Sequence, residues 1–173
     1  MKKTFTLLLT FCMFAVLHTH AQQDKSKRPS PPALATQTLS SGAVISIDYS
    51  QPSVKGRTIG KDLEPKDGEV WRTGANEATV FETSKDIKVN GQTLPAGKYG
   101  LFMISGPAEW TIIFNKTWKQ WGAFNYKKED DALRITAAPG KAAAFAEKMS
   151  FTIEKNGLVT LLWGDIKVSF TAE

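Results

Sequence analysis

Residues 71–77 (WRTGANE) bring an indole, a guanidinium, an amide and a carboxylate close together around one glycine. In an extended chain Trp71 and Arg72 point to opposite faces, so an indole in the core leaves the guanidinium facing solvent, a pocket or another sheet. Gly74 allows a turn that returns Glu77 toward Arg72. We therefore expect Arg72 to form an ion pair with Glu77 or Asp48 that fixes a structural corner. The alternative is an Arg72 with an unpaired face, which binds a carboxylate or phosphate ligand bidentately.

Four acidic residues are candidates for acid/base chemistry on a glycan, which a hydrolase performs with a pair of carboxyl groups. They are Asp48, Glu77, Asp130 and Asp131. The same oxygens would suit Ca²⁺, but the sequence lacks the dense alternation of acidic residues that marks a dedicated calcium loop. A carboxylate-dependent hydrolase therefore stays open as an alternative, and neither a metal site nor a cofactor is predicted.

An aromatic group, Trp118, Trp121, Phe124 and Tyr126, lies in a segment without clear periodicity. Aromatic side chains with polar tips can form a stacking platform for sugar rings or other planar ligands. They can equally cover one open end of a β-sandwich as part of its core. We expect the core role, because the chain also has tryptophans in its predicted strands.

The first residues have the pattern of a cleaved leader peptide. Lys2 and Lys3 give a positive start, and the apolar run at residues 5–17 is too short to span a bilayer comfortably. Residues 19–21 (THA) place small side chains where a signal peptidase reads. We expect cleavage after Ala21, export to the periplasm or beyond, and no integral membrane span in the mature chain.

Cleavage would remove Cys12, His18 and His20, which are the only cysteine and the only histidines of the sequence. A mature chain without them cannot build a Ser/His/Asp relay, a thiolate nucleophile, a histidine-ligated zinc site or a CxxC redox pair. The net charge would fall from +5 to +3, because Lys2 and Lys3 leave as well. The other lysines are spread along the chain, so no nucleic-acid partner is predicted.

The mature sequence predicts a flexible linker over residues 22–32 and a single all-β domain over residues 33–173. Short alternating stretches between turn residues indicate an antiparallel β-sandwich, with a barrel-like arrangement as the alternative. Asn90 and Gly91 are typical of a hairpin turn. Residues 50–68 are expected as a long irregular connection that packs on the domain. Residues 141–147, which are rich in alanine, are expected to form at most one or two helical turns.

Several motifs resemble those of one protein family. They are DYSQP at residues 48–52, KGR at 55–57, WRTGANEAT at 71–79, LPAGKY at 94–99, Trp110, FN at 114–115 and QWG at 120–122. On these motifs the chain is similar to the DUF2911 family, whose members are exported proteins found largely in Bacteroidota. The resemblance covers nearly the whole mature chain and implies export and a mostly β domain. It implies no catalytic residue, because the function of the family is unknown.

Together these patterns predict a binding or interaction module of a Gram-negative envelope in preference to an enzyme. A pocket is expected between residues 50–68, the corner at residues 71–77 and the loop at residues 118–126. The predicted ligand is an unassigned small molecule, glycan or protein. The candidate ligand-binding residues are Asp48, Arg57, Arg72, Asn76, Glu77, Trp118, Trp121 and Tyr126.

Overall fold

The structure is a computed structural model that describes residues 24–173. The predicted leader at residues 1–21 lies outside the described residues. Residues 24–173 contain eleven β-strands, short 3-10 helices at Lys25–Lys27 and Lys128–Asp130, and no α-helix. The strands are β1 (Pro32–Thr38), β2 (Val44–Ser50), β3 (Val70–Trp71), β4 (Thr79–Thr83), β5 (Ile87–Val89), β6 (Gln92–Leu94), β7 (Gly97–Ile104), β8 (Trp110–Asn115), β9 (Asp131–Ala137), β10 (Gly140–Ile153) and β11 (Leu158–Thr171). The predicted all-β class is confirmed.

Strands β1, β2, β4, β7, β8 and β9 lie side by side in that order in one antiparallel sheet, and β3 pairs with β7. Strands β10 and β11 form a long hairpin against one face of this sheet. The two layers meet through aromatic contacts, with ring centroids 5.1 Å apart for Tyr49 and Phe151 and 5.9 Å apart for Phe114 and Phe170. The predicted antiparallel sandwich is confirmed. Because β1 and β9 are the two ends of the sheet, it does not close into the alternative barrel.

Alternation of side chains determines which face of each strand enters the core. In β2, Ile45 and Ile47 are fully buried, whereas Val44 and Asp48 are exposed. Burying an isoleucine side chain stabilises a fold by about 1.5–3 kcal/mol. A shift of the strand by one residue would expose both isoleucines, so the alternation sets the register of β2.

The prediction of helical turns at residues 141–147 is wrong. These residues belong to β10, which pairs with β11 through Lys141 opposite Ile166 and Ala146 opposite Gly164. The register shifts on both sides of Ala146, which marks bulges in the ladder. The helix preference of alanine over other ordinary residues is at most about 0.7 kcal/mol per residue. Pairing with a strand that is distant in sequence outweighs it.

The chain between β2 and β3 is a long irregular connection, as expected. Val54 is buried, and Ile59 and Leu63 pack against the core. The buried indole of Trp163 donates a hydrogen bond from Nε1 to the carbonyl oxygen of Glu64, at 2.8 Å. These contacts hold the connection against the sandwich, beside the corner that joins β3 to β4.

The described part of the predicted linker contacts the same corner. The backbone N–H of Gln51 donates to the carbonyl oxygen of Pro31 at 2.8 Å. The side-chain amide of Asn76 donates to the carbonyl oxygen of Ser30 at 3.0 Å. Strand β1 begins at Pro32, one residue before the predicted start of the domain. The flexibility of the linker and the division of the chain at residue 33 stay predictions.

Candidate functional site

The corner between β3 and β4 is built on the buried indole of Trp71. This side chain is 2% exposed, and its Nε1 donates to the carbonyl oxygen of Gly74 at 3.2 Å. The corner closes where the N–H of Thr79 donates to the carbonyl oxygen of Arg72. As predicted, the indole of Trp71 lies in the core, whereas Arg72 is half-buried and faces a pocket.

Gly74 has a different role from the one expected of it. The residues with positive φ at this corner are Thr73, at 55°, and Asn76, at 57°, and these make the left-handed turns. A Cβ atom on Gly74 would lie 3.0 Å from the hydroxyl of Thr79 and 3.1 Å from the carbonyl oxygen of Ser50. Glycine is needed here because the neighbouring backbone approaches closely.

The predicted ion pair of Arg72 with Glu77 or Asp48 is wrong. Among residues 24–173, no carboxylate lies within salt-bridge distance of the Arg72 guanidinium. Its Nε is buried and has no hydrogen-bond partner in this part of the chain. Burial lowers the pKa of Arg72, and the nearby charge of Glu64 offsets only part of that shift. The guanidinium still carries its charge at neutral pH, so Arg72 is a half-buried cation without a direct counter-ion.

Arg72 lines an open cleft of about 330 Å³, which we call the Arg72 cleft. One wall is the connection between β2 and β3, and the corner, Ser30 and Trp163 form the rest. Four cationic and two anionic side chains line it: Arg57, Lys61, Lys66, Arg72, Asp62 and Glu64. Two of the three elements expected around a pocket are therefore present, while the loop at residues 118–126 supplies none of the lining residues. An excess of cations in a concave site attracts anions.

Glu77 pairs with the segment that precedes β1. Its two carboxylate oxygens lie 3.0 and 2.8 Å from Nη1 of Arg28, and Nζ of Lys25 lies 3.1 Å from one of them. Burial raises the pKa of Glu77, but hydrogen bonds from its own backbone N–H, from Arg28 and from Lys25 outweigh it, and the pKa is lowered. We call Lys25, Arg28 and Glu77 the Glu77 cluster. It attaches the N-terminal segment to the corner.

Asp48 and Arg57, the other two charged candidates, line different cavities. Asp48 is exposed and lines a cavity of about 70 Å³ that Lys25, Arg28 and Glu77 also line. Arg57 donates from Nε to the carbonyl oxygen of Val54 at 3.1 Å and from Nη2 to that of Ser53 at 2.7 Å. Arg57 therefore shapes the connection between β2 and β3 while it lines the Arg72 cleft.

The four aromatic residues of the loop do not form one platform. Trp121 is 54% exposed and Phe124 is 84% exposed. Trp118 is half-buried, with Nζ of Lys98 lying 5.6 Å from its ring centroid. Tyr126 is half-buried against Phe102, with ring centroids 5.2 Å apart. The expected core role thus applies in part to Trp118 and Tyr126, and Trp121 and Phe124 remain exposed.

The loop reaches the corner through Gly122. Its N–H donates to the carbonyl oxygen of Asn76 at 3.0 Å, and the neighbouring Trp121 forms a β-bridge with Glu77. A Cβ atom on Gly122 would lie 3.1 Å from the ring of Phe124 and 3.6 Å from Nη1 of Arg72. The exposed ring of Phe124 and the Arg72 guanidinium are therefore neighbours, and the Trp121 ring lies beside Arg28, with the guanidinium carbon 5.9 Å from its centroid.

Tyr126, Asp131 and Arg134 form a second charged group, which we call the Arg134 cluster. Oδ2 of Asp131 accepts hydrogen bonds from Nε of Arg134 at 2.6 Å and from the hydroxyl of Tyr126 at 2.8 Å. Arg134 also donates to the Tyr126 hydroxyl. Burial and the hydrogen bond to Asp131 raise the pKa of Tyr126 to about 12. Oδ1 of Asp131 accepts from the side-chain amide of Asn115 at 2.8 Å, so both oxygens of this carboxylate have partners inside the protein.

Several residues of the site carried no motif that singled them out in the sequence. Arg28 lies in the predicted linker, yet it holds Glu77, which is 49 positions further along the chain. Lys61, Glu64 and Lys66 line the Arg72 cleft from an irregular connection. Their one sequence signal is the density of charge in residues 61–67 between glycines.

Two further findings on the described residues concern metal ions and membrane-spanning helices. No group of three or more acidic, cysteine or histidine side chains within residues 24–173 is placed to hold a metal ion. From Asp24 onward, no helix has the length and apolar character needed to cross a membrane.

Comparison with known proteins gives one match. No curated protein and no solved structure matches the chain. A family model described as a protein of unknown function, DUF2911, matches residues 30–172. This range includes the corner, the Arg72 cleft and both layers of the sandwich. The chain therefore belongs to the DUF2911 family.

Proposed function

We propose that this protein is a binding module of the bacterial envelope that holds a small anionic ligand in the Arg72 cleft. The observation that carries the proposal is the Nε of Arg72, which is buried without a hydrogen-bond partner among residues 24–173. A buried donor that loses its water without gaining a partner costs about 1–3 kcal/mol. A carboxylate or phosphate group in the cleft would supply acceptors to this guanidinium through its two Nη atoms, because Nε itself is not exposed.

The charges around the cleft support an anion over a neutral ligand. Lys61 and Lys66 have no salt bridge within the described chain. The two acidic residues of the lining have local partners, since Asp62 accepts from the N–H of Thr58 at 3.0 Å and Glu64 accepts from that of Lys66 at 3.1 Å. The cationic groups are therefore the ones left to attract a ligand.

A carboxylate-dependent hydrolase is the alternative function. Such an enzyme needs one carboxyl group with a raised pKa to act as the acid. The pKa of Glu77 is shifted in the opposite direction, and its carboxylate is held by Arg28 and Lys25. Asp131 is committed to Arg134 and Tyr126. These arrangements favour binding over catalysis at Glu77 and Asp131.

The envelope location is the second part of the proposal and rests on the leader pattern of residues 1–21. In a Gram-negative host, the protein recovered from the periplasm or medium should begin at Gln22. N-terminal sequencing of the recovered protein checks this. A protein that keeps residues 1–21 and stays in the cytoplasm would contradict it.

Anion binding is tested by isothermal titration with malonate and with phosphate at constant ionic strength. We expect Arg72→Met to weaken binding roughly 10- to 100-fold, because a hydrogen bond to a charged group contributes about 1.5–3 kcal/mol. The matched control is Lys88→Met, which removes one positive charge from an exposed strand residue outside the cleft. Equal binding by the wild type and Arg72→Met, or equal losses in both variants, would contradict the proposal.

A further inference from the structure

We propose that the ligand is an acidic saccharide, with its carboxylate on Arg72 and an adjoining sugar ring on the exposed aromatic pair Trp121 and Phe124. This inference rests on the proposed function, since it assumes that an anion occupies the Arg72 cleft. It adds the chemical class of the rest of the ligand. The observations that carry it are the contiguity of the two surfaces, the exposure of the rings and the way in which the loop is held.

The ring of Phe124 and the guanidinium of Arg72 approach each other at Gly122. A single point, the Cβ position of Gly122, lies 3.1 Å from the ring of Phe124 and 3.6 Å from Nη1 of Arg72. The separation between the Phe124 ring and Nη1 of Arg72 is therefore no greater than these two distances together, so one saccharide chain can contact both groups. Gly122 has a φ of 63° and no side chain, so no Cβ atom of its own occupies that point.

The exposure of the rings is unusual for side chains of their size. Phe124 is 84% exposed and Trp121 is 54% exposed, whereas Trp71, Trp110 and Trp163 are all buried. The face of an aromatic ring carries partial negative charge and attracts positively polarised C–H groups. The faces of sugar rings present such C–H groups, and an acidic saccharide carries these faces and carboxylates along one chain. An acidic peptide has the carboxylates without the flat C–H face.

The loop is held in place before any ligand binds. Trp121 forms a β-bridge with Glu77, and the guanidinium carbon of Arg28 lies 5.9 Å from the centroid of its ring. The hydrogen bond from Gly122 to Asn76 fixes the next residue. An ordered aromatic surface loses little conformational entropy on binding, which favours affinity.

The test compares three probes by isothermal titration: galacturonic acid, tetragalacturonate and a neutral galactose tetramer. We expect tetragalacturonate to bind at least about 10-fold more tightly than the monomer, and the neutral tetramer to bind at least about 10-fold more weakly than tetragalacturonate. Phe124→Ala should reduce the affinity for tetragalacturonate roughly 3- to 10-fold and leave malonate binding unchanged, in line with the modest strength of aromatic contacts. Arg72→Met should weaken the binding of both acidic probes.

The matched control is Phe145→Ala, which removes another exposed phenylalanine, 55% exposed, from β10. Its affinity for tetragalacturonate should equal that of the wild type. Urea midpoints of all variants establish that they are folded, and Phe124 is exposed enough for its removal to leave the core intact.

The outcomes separate this inference from the proposed function. If malonate binds through Arg72 but tetragalacturonate binds no more tightly than the monomer, the saccharide assignment is wrong and anion binding stands. The assignment is also overturned if Phe124→Ala has no effect, or if a tetraglutamate peptide binds as tightly as tetragalacturonate. If no anion binds through Arg72, the proposed function itself fails.

Discussion

Arg72 and Arg134 are both half-buried arginines, but their surroundings differ. Arg134 donates from Nε to Asp131 at 2.6 Å and also donates to the hydroxyl of Tyr126. Burial lowers the pKa of Arg134, yet its hydrogen bonds to Asp131 and Tyr126 outweigh that effect and raise it. Arg72 has a buried Nε without a partner among residues 24–173, and burial lowers its pKa.

The comparison distinguishes a structural cation from one that is available to a ligand. A guanidinium whose donors are used inside the protein contributes to the fold and has little left to offer. One whose donors are unused costs folding free energy, which a bound anion can recover. We therefore expect substitutions in the Arg134 cluster to reduce stability, and substitution of Arg72 to reduce anion binding.

The largest expected effect is on the Arg134 cluster. Asp131→Asn removes the charge that holds Arg134, Tyr126 and the side-chain amide of Asn115. Because hydrogen bonds to charged groups contribute about 1.5–3 kcal/mol, we expect a loss of about 2 kcal/mol in the free energy of unfolding. Urea denaturation at pH 7 measures it. A variant as stable as the wild type would show that this cluster is not structural.

A smaller effect is expected at the Glu77 cluster. Its carboxylate has a lowered pKa, so the stabilisation is present above the unfolded value of 4.5 and is lost as the pH falls through the folded value. Because the pair is partly exposed and screened, we expect Glu77→Gln to cost about 0.5 kcal/mol at pH 7. The difference between wild type and variant should shrink as the pH falls below 4.5. A difference in urea denaturation that stays constant from pH 7 down to pH 3 would contradict the assigned role.

The smallest effect on stability is expected at Arg72 in the absence of ligand. Arg72→Met removes a buried donor without a partner and keeps the aliphatic stem that packs beside the corner. We expect the free energy of unfolding to stay within about 0.5 kcal/mol of the wild type or to rise. Urea denaturation in a buffer without phosphate or carboxylate measures it. A loss of about 2 kcal/mol would mean that Arg72 is structural, as Arg134 is.

The sequence predicted those parts of the molecule that depend on local pattern. The alternation in β2 and the turn at Asn90 and Gly91, whose φ angles are 45° and 80°, are both as expected. The strand character of residues 141–147 was missed because it depends on pairing with β11, which begins at Leu158. Local preference carries no information about such a partner.

In the candidate site, too, local pattern was predicted correctly and long-range pairing was not. Arg72 and Glu77 are close in sequence, and their opposite charges favoured a local pair. Glu77 instead pairs with Arg28, 49 positions away, because the segment before β1 folds back along the corner. The residues of the site could be selected from the sequence by type, but their pairing could not, since it depends on the path of the whole chain.

The central claim is that the Arg72 guanidinium is available to an anion and the Arg134 guanidinium is not. The most direct measurement is the NMR signal of each arginine Nε–H during titration with malonate, with signals assigned from Arg72→Met and Arg134→Met. We predict that the Arg72 signal shifts in a saturable manner while the Arg134 signal stays in place. An Arg72 signal that does not move, while malonate binds elsewhere or not at all, would contradict the claim.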